Sequence, residues 1–286
     1  MAEITLENVS FYHGKDTPYE IKALKNINLT IPSGVITGII GHTGSGKSTM
    51  VQLFNGLHKP EEGRVLIDGV DIWENPKKIK SVRFKVGLVM QYPEYQLFEE
   101  TIYKDIAFGP KNMGVPEEEI RERVIEAAQF VDLDESLLEK SPFDLSGGQK
   151  RRAAIAGIIA MRPDILVLDE PAAGLDPRGR DSIFQNIIDY QKKSGATVIV
   201  VSHSMEDMAK ICDNLVVMYD GTVFMTGDRS RIFSNADKLT DIGLDVPQIT
   251  QLMNILESRG LSIDKGIYTV EGAFEFLKNK LRLNKN

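Results

Sequence analysis

Eight residues constrain this chain more than any others. Gly41-His42-Thr43-Gly44-Ser45-Gly46-Lys47-Ser48 fits the pattern G-x-x-x-x-G-K-[ST] in full. An apolar run, Val35 to Ile40, precedes it and reads as a buried strand, and a helical pattern follows over 47–57. Glycines let successive backbone N–H groups curl around phosphate oxygens, and the helix N-terminus adds a dipole that favours anions. In such a loop Lys47 reaches the β- and γ-phosphates of a nucleoside triphosphate and Ser48 ligates Mg²⁺. Thr49 follows and completes the expected nucleotide-binding stretch. The pattern demands an α/β domain. Alone it does not separate a GTPase, a kinase, a helicase and a transport ATPase.

The rest of the chain supplies that domain. Strands are predicted at 3–11, 26–31, 35–40, 63–67, 86–90, 165–168, 197–201, 214–218 and 222–226, and helices at 47–57, 116–131, 148–161, 178–193 and 204–211. Alternating strands and helices imply a mostly parallel sheet flanked by helices, and the early strands imply an antiparallel subdomain beside it. Composition changes near Thr226, so the chain divides into 1–227 and a C-terminal extension, 228–286. Two amphipathic patterns in the extension place Ile249, Leu252, Met253 and Leu256 on one face and Phe274, Leu277 and Leu281 on another.

Two further motifs carry chemistry. Ile165 to Leu168 is a buried strand that ends in Asp169-Glu170. Carboxylates at the carboxyl end of a parallel strand face the ligand crevice of an open sheet. Asp169 is placed to hold Mg²⁺ through water, and Glu170 to polarise a water that attacks the γ-phosphate. Leu145-Ser146-Gly147-Gly148-Gln149 precedes a helix, with Ser146 as its N-cap and two glycines that leave backbone N–H groups open. By the same physics as the first loop this is a second anion site. It serves either a second anion on the same chain or a nucleotide held by another subunit.

With these residues in hand the chain resembles the ATP-binding cassette (ABC) family over about residues 3–226. LSGGQ is that family's signature, and its companions occur in order. Gln91 looks like the Q-loop glutamine, which contacts the catalytic centre and Mg²⁺. Gly174-Leu175-Asp176 looks like the D-loop, and His203 like the switch histidine. Tyr12 matches the aromatic that stacks on adenine, although Phe11 is adjacent and offers an alternative. The resemblance implies a P-loop cassette with a helical signature subdomain at about 92–160. It also implies ATP and Mg²⁺ as ligands, and a head-to-tail dimer in which each ATP meets Lys47 of one chain and Ser146 of the other.

A narrower resemblance follows. The string Gln91-Tyr92-Pro93-Glu94-Tyr95-Gln96-Leu97-Phe98, with NGL at 55–57 and GPKNMG at 109–114, is similar to the ATPases of energy-coupling factor (ECF) transporters. The insertion Lys15 to Lys22 looks like that of the second of their two paralogous ATPases. The resemblance implies a peripheral protein on the cytoplasmic face of the cell membrane. Its implied partners are a second ABC ATPase (a paralogue or a copy), a transmembrane coupling subunit and a substrate-capture membrane protein, and the implied cargo is a vitamin or a micronutrient such as cobalt or nickel ions. Tyr92, Glu94, Leu97 and Phe98 would form the coupling groove, with Glu94 as a carboxylate at its rim.

Composition fits this reading. Lys plus Arg is 34 and Asp plus Glu is 41, a net charge of −7, which argues against a protein that grips nucleic acid. The single cysteine, Cys212, excludes an intrachain disulfide. The start, MAEITLENVS, lacks the features of a secretory signal, and the longest apolar runs fall far short of the roughly 20 residues of a membrane span. Any work at a membrane therefore borrows a partner's spans. The second reading, a soluble ABC ATPase in translation or DNA repair, usually requires tandem cassettes or a long coiled coil. The chain has one phosphate loop and no heptad run.

Overall fold

The computed structural model describes residues 2–263 and 266–283. Strands β1 (Ile4–His13), β2 (Ile21–Ile31), β4 (Glu62–Ile67) and β5 (Val70–Asp71) form an antiparallel sheet in the order β2-β1-β4-β5. A six-stranded sheet lies beside it. It contains β3 (Ile36–Gly41), β6 (Val86–Val89), β7 (Ile165–Asp169), β8 (Thr197–Val201), β9 (Asn214–Tyr219) and β10 (Thr222–Asp228), in the order β10-β9-β3-β8-β7-β6. All neighbours are parallel except β10, which runs against β9. β3, β6, β7 and β8 are buried along their whole length, which is why their sequences are mostly apolar rather than alternating.

Helices α1 (Lys47–Phe54), α2 (Ile79–Lys85), α3 (Ile102–Met113), α4 (Glu117–Phe130), α5 (Gly147–Ile159), α6 (Pro177–Ser194) and α7 (Met205–Ile211) connect the strands. α3, α4 and α5 pack on one another and form the helical subdomain. The sequence reading misses α2 and α3. The α3 segment contains Gly109 and Pro110, which read as breakers, yet Pro110 falls in its last turns, and Thr101 caps its start by accepting from the Lys104 amide. β2 begins five residues earlier than predicted. Polar Lys22 and Lys25 hide it, but Tyr12 and His13 pair with Lys22 and Ile21, so the 15–22 insertion forms the tip of a long hairpin.

The extension begins with α8 (Arg229–Phe233) and α9 (Ala236–Asp241) and ends with α10 (Gln248–Ser258) and α11 (Val270–Leu283). Its packing divides. Ile232, Phe233, Ala236, Leu239, Leu244 and Val246 belong to the larger apolar core, shared with β3, β8 and β9. α10 and α11 leave Leu252, Ile255, Val270 and Phe274 exposed, while Met253 and Ala273 are buried. The side chain of Leu281 lies outside the described residues.

A second core joins the two sheets. Met50, Val51, Leu53 and Phe54 of α1 meet Ile4, Leu6 and Val9 of β1 and Ile39 of β3. α1 thus ties the antiparallel sheet to the strand that carries the phosphate loop. Phe54→Ala should destabilise the fold by about 3–5 kcal/mol, the cost of a large buried truncation. Urea unfolding measures it, and a loss under about 1 kcal/mol would show that α1 does not join the two sheets.

Candidate functional site

The parallel register sets the carboxyl ends of β3, β8, β7 and β6 side by side. Each ends in a predicted site segment: the phosphate loop after β3, His203 after β8, Asp169 and Glu170 at β7, and Gln91 after β6. Sequence positions as far apart as 41 and 203 thus meet along one edge.

The phosphate loop is built by steric demand. Gly41 has φ 152° and Gly46 φ 98°, and a Cβ on Gly46 would lie 2.7 Å from the Ala23 carbonyl oxygen of β2. Gly46 is also the N-cap of α1 and offers no side-chain cap, so the helix N–H groups stay available. Lys47 Nζ donates to the carbonyls of Gly41 (2.7 Å) and His42 (2.8 Å). Burial pushes the Lys47 amine below its usual range, against the pull of Glu170 and Asp169. Ser45 Oγ is buried without a partner. Thr43 and Gly44 are exposed. The Thr49 hydroxyl lies 3.0 Å from His13 Nε2 of β1, and the residue is buried.

Asp169 is buried, which raises its carboxyl pKa, while the Ser48 hydroxyl beside it pulls the other way. A serine hydroxyl next to a carboxylate is a set of hard oxygen donors, and Mg²⁺ is held in such places by one or two carboxylates plus substrate phosphates. Among the described residues no group of three His, Cys, Asp or Glu side chains forms a cage of its own. The residues therefore fit Mg²⁺ brought with a triphosphate.

Glu170 adopts φ 50°, a left-handed conformation unusual for a side-chain-bearing residue. This turn aims its carboxylate at His203 Nδ1, 2.8 Å away. The sequence gives the two residues separate roles, and the structure joins them.

At the signature, Ser146 caps α5. Its Oγ accepts from the Gln149 amide at 3.4 Å, and Gln149 Oε1 accepts from the Ser146 amide at 2.9 Å. Leu145 faces inward and anchors the segment in the core rather than presenting itself to a ligand. A Cβ on Gly147 or Gly148 would meet nothing within 4 Å, and neither residue has a positive φ. Asp176 caps α6 by accepting from the Gly179 amide at 2.7 Å.

Of the two aromatic candidates, Phe11 is buried beside His13 and His58. Tyr12 is half-exposed, with Lys22 Nζ 5.0 Å from its ring centroid. It lies one strand pair from Ala23, the residue against Gly46.

A groove of ≈ 330 Å³ runs between β6, α3 and α5, lined by Leu97, Phe98, Phe108, Arg83 and Asp105 among others, and Tyr92 and Glu94 lie outside its lining. Both Glu94 oxygens accept from Arg151, at 3.1 Å from Nε and 2.9 Å from a terminal nitrogen. The groove's carboxylate is Asp105. One of its oxygens accepts from the amides of Phe98 and Glu99, and the other is buried without a partner. Arg151, absent from the sequence reading, also donates to the Ala173 carbonyl, just before the D-loop. One guanidinium thus links the signature helix, the Q-loop and the D-loop. Its signal in the sequence is faint: an arginine five residues after Ser146 on the inner face of α5.

The family model described as ABC transporter matches residues 24–173. The energy-coupling factor transporter ATP-binding protein EcfA2 of Caldanaerobacter subterraneus subsp. tengcongensis is 52% identical over 283 residues, 99% of each chain. The protein of the same name from Clostridium tetani is 52% identical over 271 residues, 94% of each. Among solved structures, cbiO1 of Clostridium perfringens, part of the ABC transporter complex cbiONQ, matches with TM-score 0.74 and 39% identity over 88% of this chain and 98% of that one. A dimeric post-hydrolysis state of the ATP-binding cassette MJ0796, bound to ADP and Pi, matches with TM-score 0.71 and 31% identity over 79% and 98%.

Arg151 is 4% and Glu94 16% exposed, so removing one partner leaves a buried, uncompensated charge. Arg151→Ala should cost about 3–5 kcal/mol in urea unfolding. In a double-mutant cycle, Glu94→Gln combined with Arg151→Met should recover part of that loss. Additive losses would show that the pair is not coupled.

Proposed function

The chain belongs to the ABC transporter family, among the energy-coupling factor transporter ATP-binding proteins, and on that premise we propose how it turns ATP into transport. Two cassettes clamp two ATP molecules head to tail. Each nucleotide lies between the phosphate loop of one chain and the signature helix of the other. The observation that carries this reading is the open face of α5. Gly147 and Gly148 serve neither the backbone conformation nor packing inside the chain, so their smallness serves a group that approaches from outside. An approaching γ-phosphate finds exposed N–H groups at a helix N-terminus.

Within each site Lys47 and the loop amides hold the β- and γ-phosphates, and Tyr12 stacks on the adenine. Ser48 and Asp169 would hold Mg²⁺, together with Gln91 at the end of β6. When bound, the ion offsets the charge that develops on the transferring phosphoryl oxygens. Glu170 orients the attacking water and accepts its proton. His203, bonded to Glu170 through Nδ1, keeps Nε2 free to face the γ-phosphate. Asp176 fixes the start of α6 beside the facing subunit. Hydrolysis removes the group both cassettes bind, and the dimer reopens.

Closure does work only if a membrane subunit moves with it. No described helix is long and apolar enough to cross a membrane. The groove of Leu97, Phe98 and Phe108 suits an inserted apolar helix of a transmembrane coupling subunit, with a cation on Asp105. A separate membrane protein captures the micronutrient, which places this chain at the cytoplasmic face. The exposed Leu252, Ile255, Val270 and Phe274 of α10 and α11 form the contact that holds the two ATPases together between ATP cycles. The relatives named above are transporter subunits, which leaves the soluble translation or repair role without a supporting observation.

Three changes test the scheme in a reconstituted complex. Glu170→Gln should lower hydrolysis by about 10²–10⁴ while ATP binding survives and the closed dimer accumulates. Turnover within twofold of wild type would remove Glu170 from the chemistry. Lys47→Ala should instead weaken ATP binding itself, as calorimetry reads it. Ser146→Arg should leave ATP binding to the single chain intact and abolish ATP-driven dimerisation in light scattering. A dimer that still forms would place the signature away from the interface.

A further inference from the structure

The phosphate loop is held from a direction that its motif does not foretell. His42 Nε2 donates to the Ile242 carbonyl at 2.8 Å, a contact between residues 200 positions apart. Ile242 opens a short segment between α9 and α10. Leu244 and Val246 of that segment are buried in the larger core, with Ile242 packed against it. The acceptor is thus fixed by apolar anchors at alternate positions and does not hang from a free loop. At its far end the segment meets α7. The Gln248 amide donates to Glu206 Oε1 at 2.6 Å, three residues after His203. Residues 240–248 therefore form a strap with one end on the phosphate loop and the other on the helix behind the switch histidine.

His42 joins the two sides of this arrangement because its side chain and its backbone carbonyl hold different partners. Its imidazole takes the strap. Its backbone carbonyl takes Lys47 Nζ at 2.8 Å and the Ser45 amide at 3.1 Å. A shift of the Ile242 carbonyl moves the carbonyl that fixes Lys47. Any phosphate that recruits Lys47 pulls on the same residue in return. Gly243 allows the approach. It has φ 75°, and a Cβ there would stand 3.1 Å from His42 Nε2.

We propose that His42 is a positioning residue through which nucleotide binding at the phosphate loop is coupled to docking of the C-terminal strap, residues 240–248. The proposal rests on the ATP-binding reading above and extends it. The extension that carries α10 and α11 is then not an independent clasp. It senses whether its own cassette holds nucleotide, and by thermodynamic reciprocity a docked strap raises nucleotide affinity by the same factor. One end of the strap lands on the phosphate loop and the other on α7, three residues past His203, which the scheme above sets against the γ-phosphate.

The test uses the full-length chain and a non-hydrolysable ATP analogue with Mg²⁺. His42→Ala should weaken binding about 3- to 10-fold, the range spanned by one net hydrogen bond. His42→Gln, which keeps a side-chain donor, should restore most of the affinity. Gly243→Ala, which leaves the phosphate loop sequence untouched, should weaken binding in the same range. The reciprocal readout is amide hydrogen exchange. In the wild type the analogue should slow exchange at Gly243 and Leu244, whose amides donate to Thr240 and Leu239, and this slowing should vanish in His42→Ala. Unchanged affinity in His42→Ala, or exchange in 240–248 indifferent to nucleotide, overturns the coupling. Weakened binding that His42→Gln does not restore, with nucleotide-dependent exchange intact, assigns the loss to the loop alone and also overturns it. A wild-type chain that fails to bind the analogue instead defeats the ATP-binding reading itself.

Discussion

The site depends on the register between β7 and β8. Asp169 pairs with Val201 as the last rung of their parallel ladder, and the Glu170 amide adds one more bond, to the Val201 carbonyl at 2.9 Å. That extra bond holds Glu170 past the end of its strand, and the chain must then turn toward α6. The turn takes Glu170 into a left-handed conformation that costs of order 1–3 kcal/mol for a residue with a side chain. The buried ladder supports the cost. The result is a carboxylate that points along the sheet edge at His203 rather than out from the strand. A one-residue slip would send Asp169 and Glu170 to opposite sides and break the pairing with β8.

Around this fixed edge the moving parts are joined by one cation. Arg151 is almost fully buried, and each part of its guanidinium holds a different segment: Glu94 in the Q-loop by two bonds, and the Ala173 carbonyl beside the D-loop by another. A planar fork suits this task, because it fixes two directions at once. α5, which carries the signature, cannot rotate without moving the segment that opens the groove. Signature helix, Q-loop and D-loop are thereby tied through one side chain.

What the sequence reveals follows from how local each signal is. The phosphate loop, the acid pair and the signature are contiguous strings whose flanking strand or helix confirms them, and each lies where its pattern places it. The parallel sheet is legible because strands buried on both faces are mostly apolar runs. α3 is not legible, since Gly109 and Pro110 outweigh the spacing of Ile102, Ile106 and Pro110 on its buried side. Glu94 and Asp105 show the deeper limit. Both are acids near an apolar string, and only tertiary contact reveals that Arg151 neutralises one while the other turns into the groove with an oxygen unpaired. His42, a variable position of its motif, is informative only once Ile242 lies beside it.

Electrostatics explains why the edge waits for a ligand rather than closing on itself. Burial lowers the Lys47 pKa and raises that of Asp169, and each is the other's partial remedy. Had they formed a tight ion pair, the loop would have no free charge to offer and the acid none for a cation. Instead Lys47 bonds to two carbonyls of its own loop, and Asp169 leans on the Ser48 hydroxyl. Carbonyls and a hydroxyl are weaker partners for these charges than phosphate and Mg²⁺. A magnesium triphosphate would bring both at once, negative charge for the lysine and positive charge for the aspartate. Either ion alone would satisfy one group and leave the other buried and undercompensated.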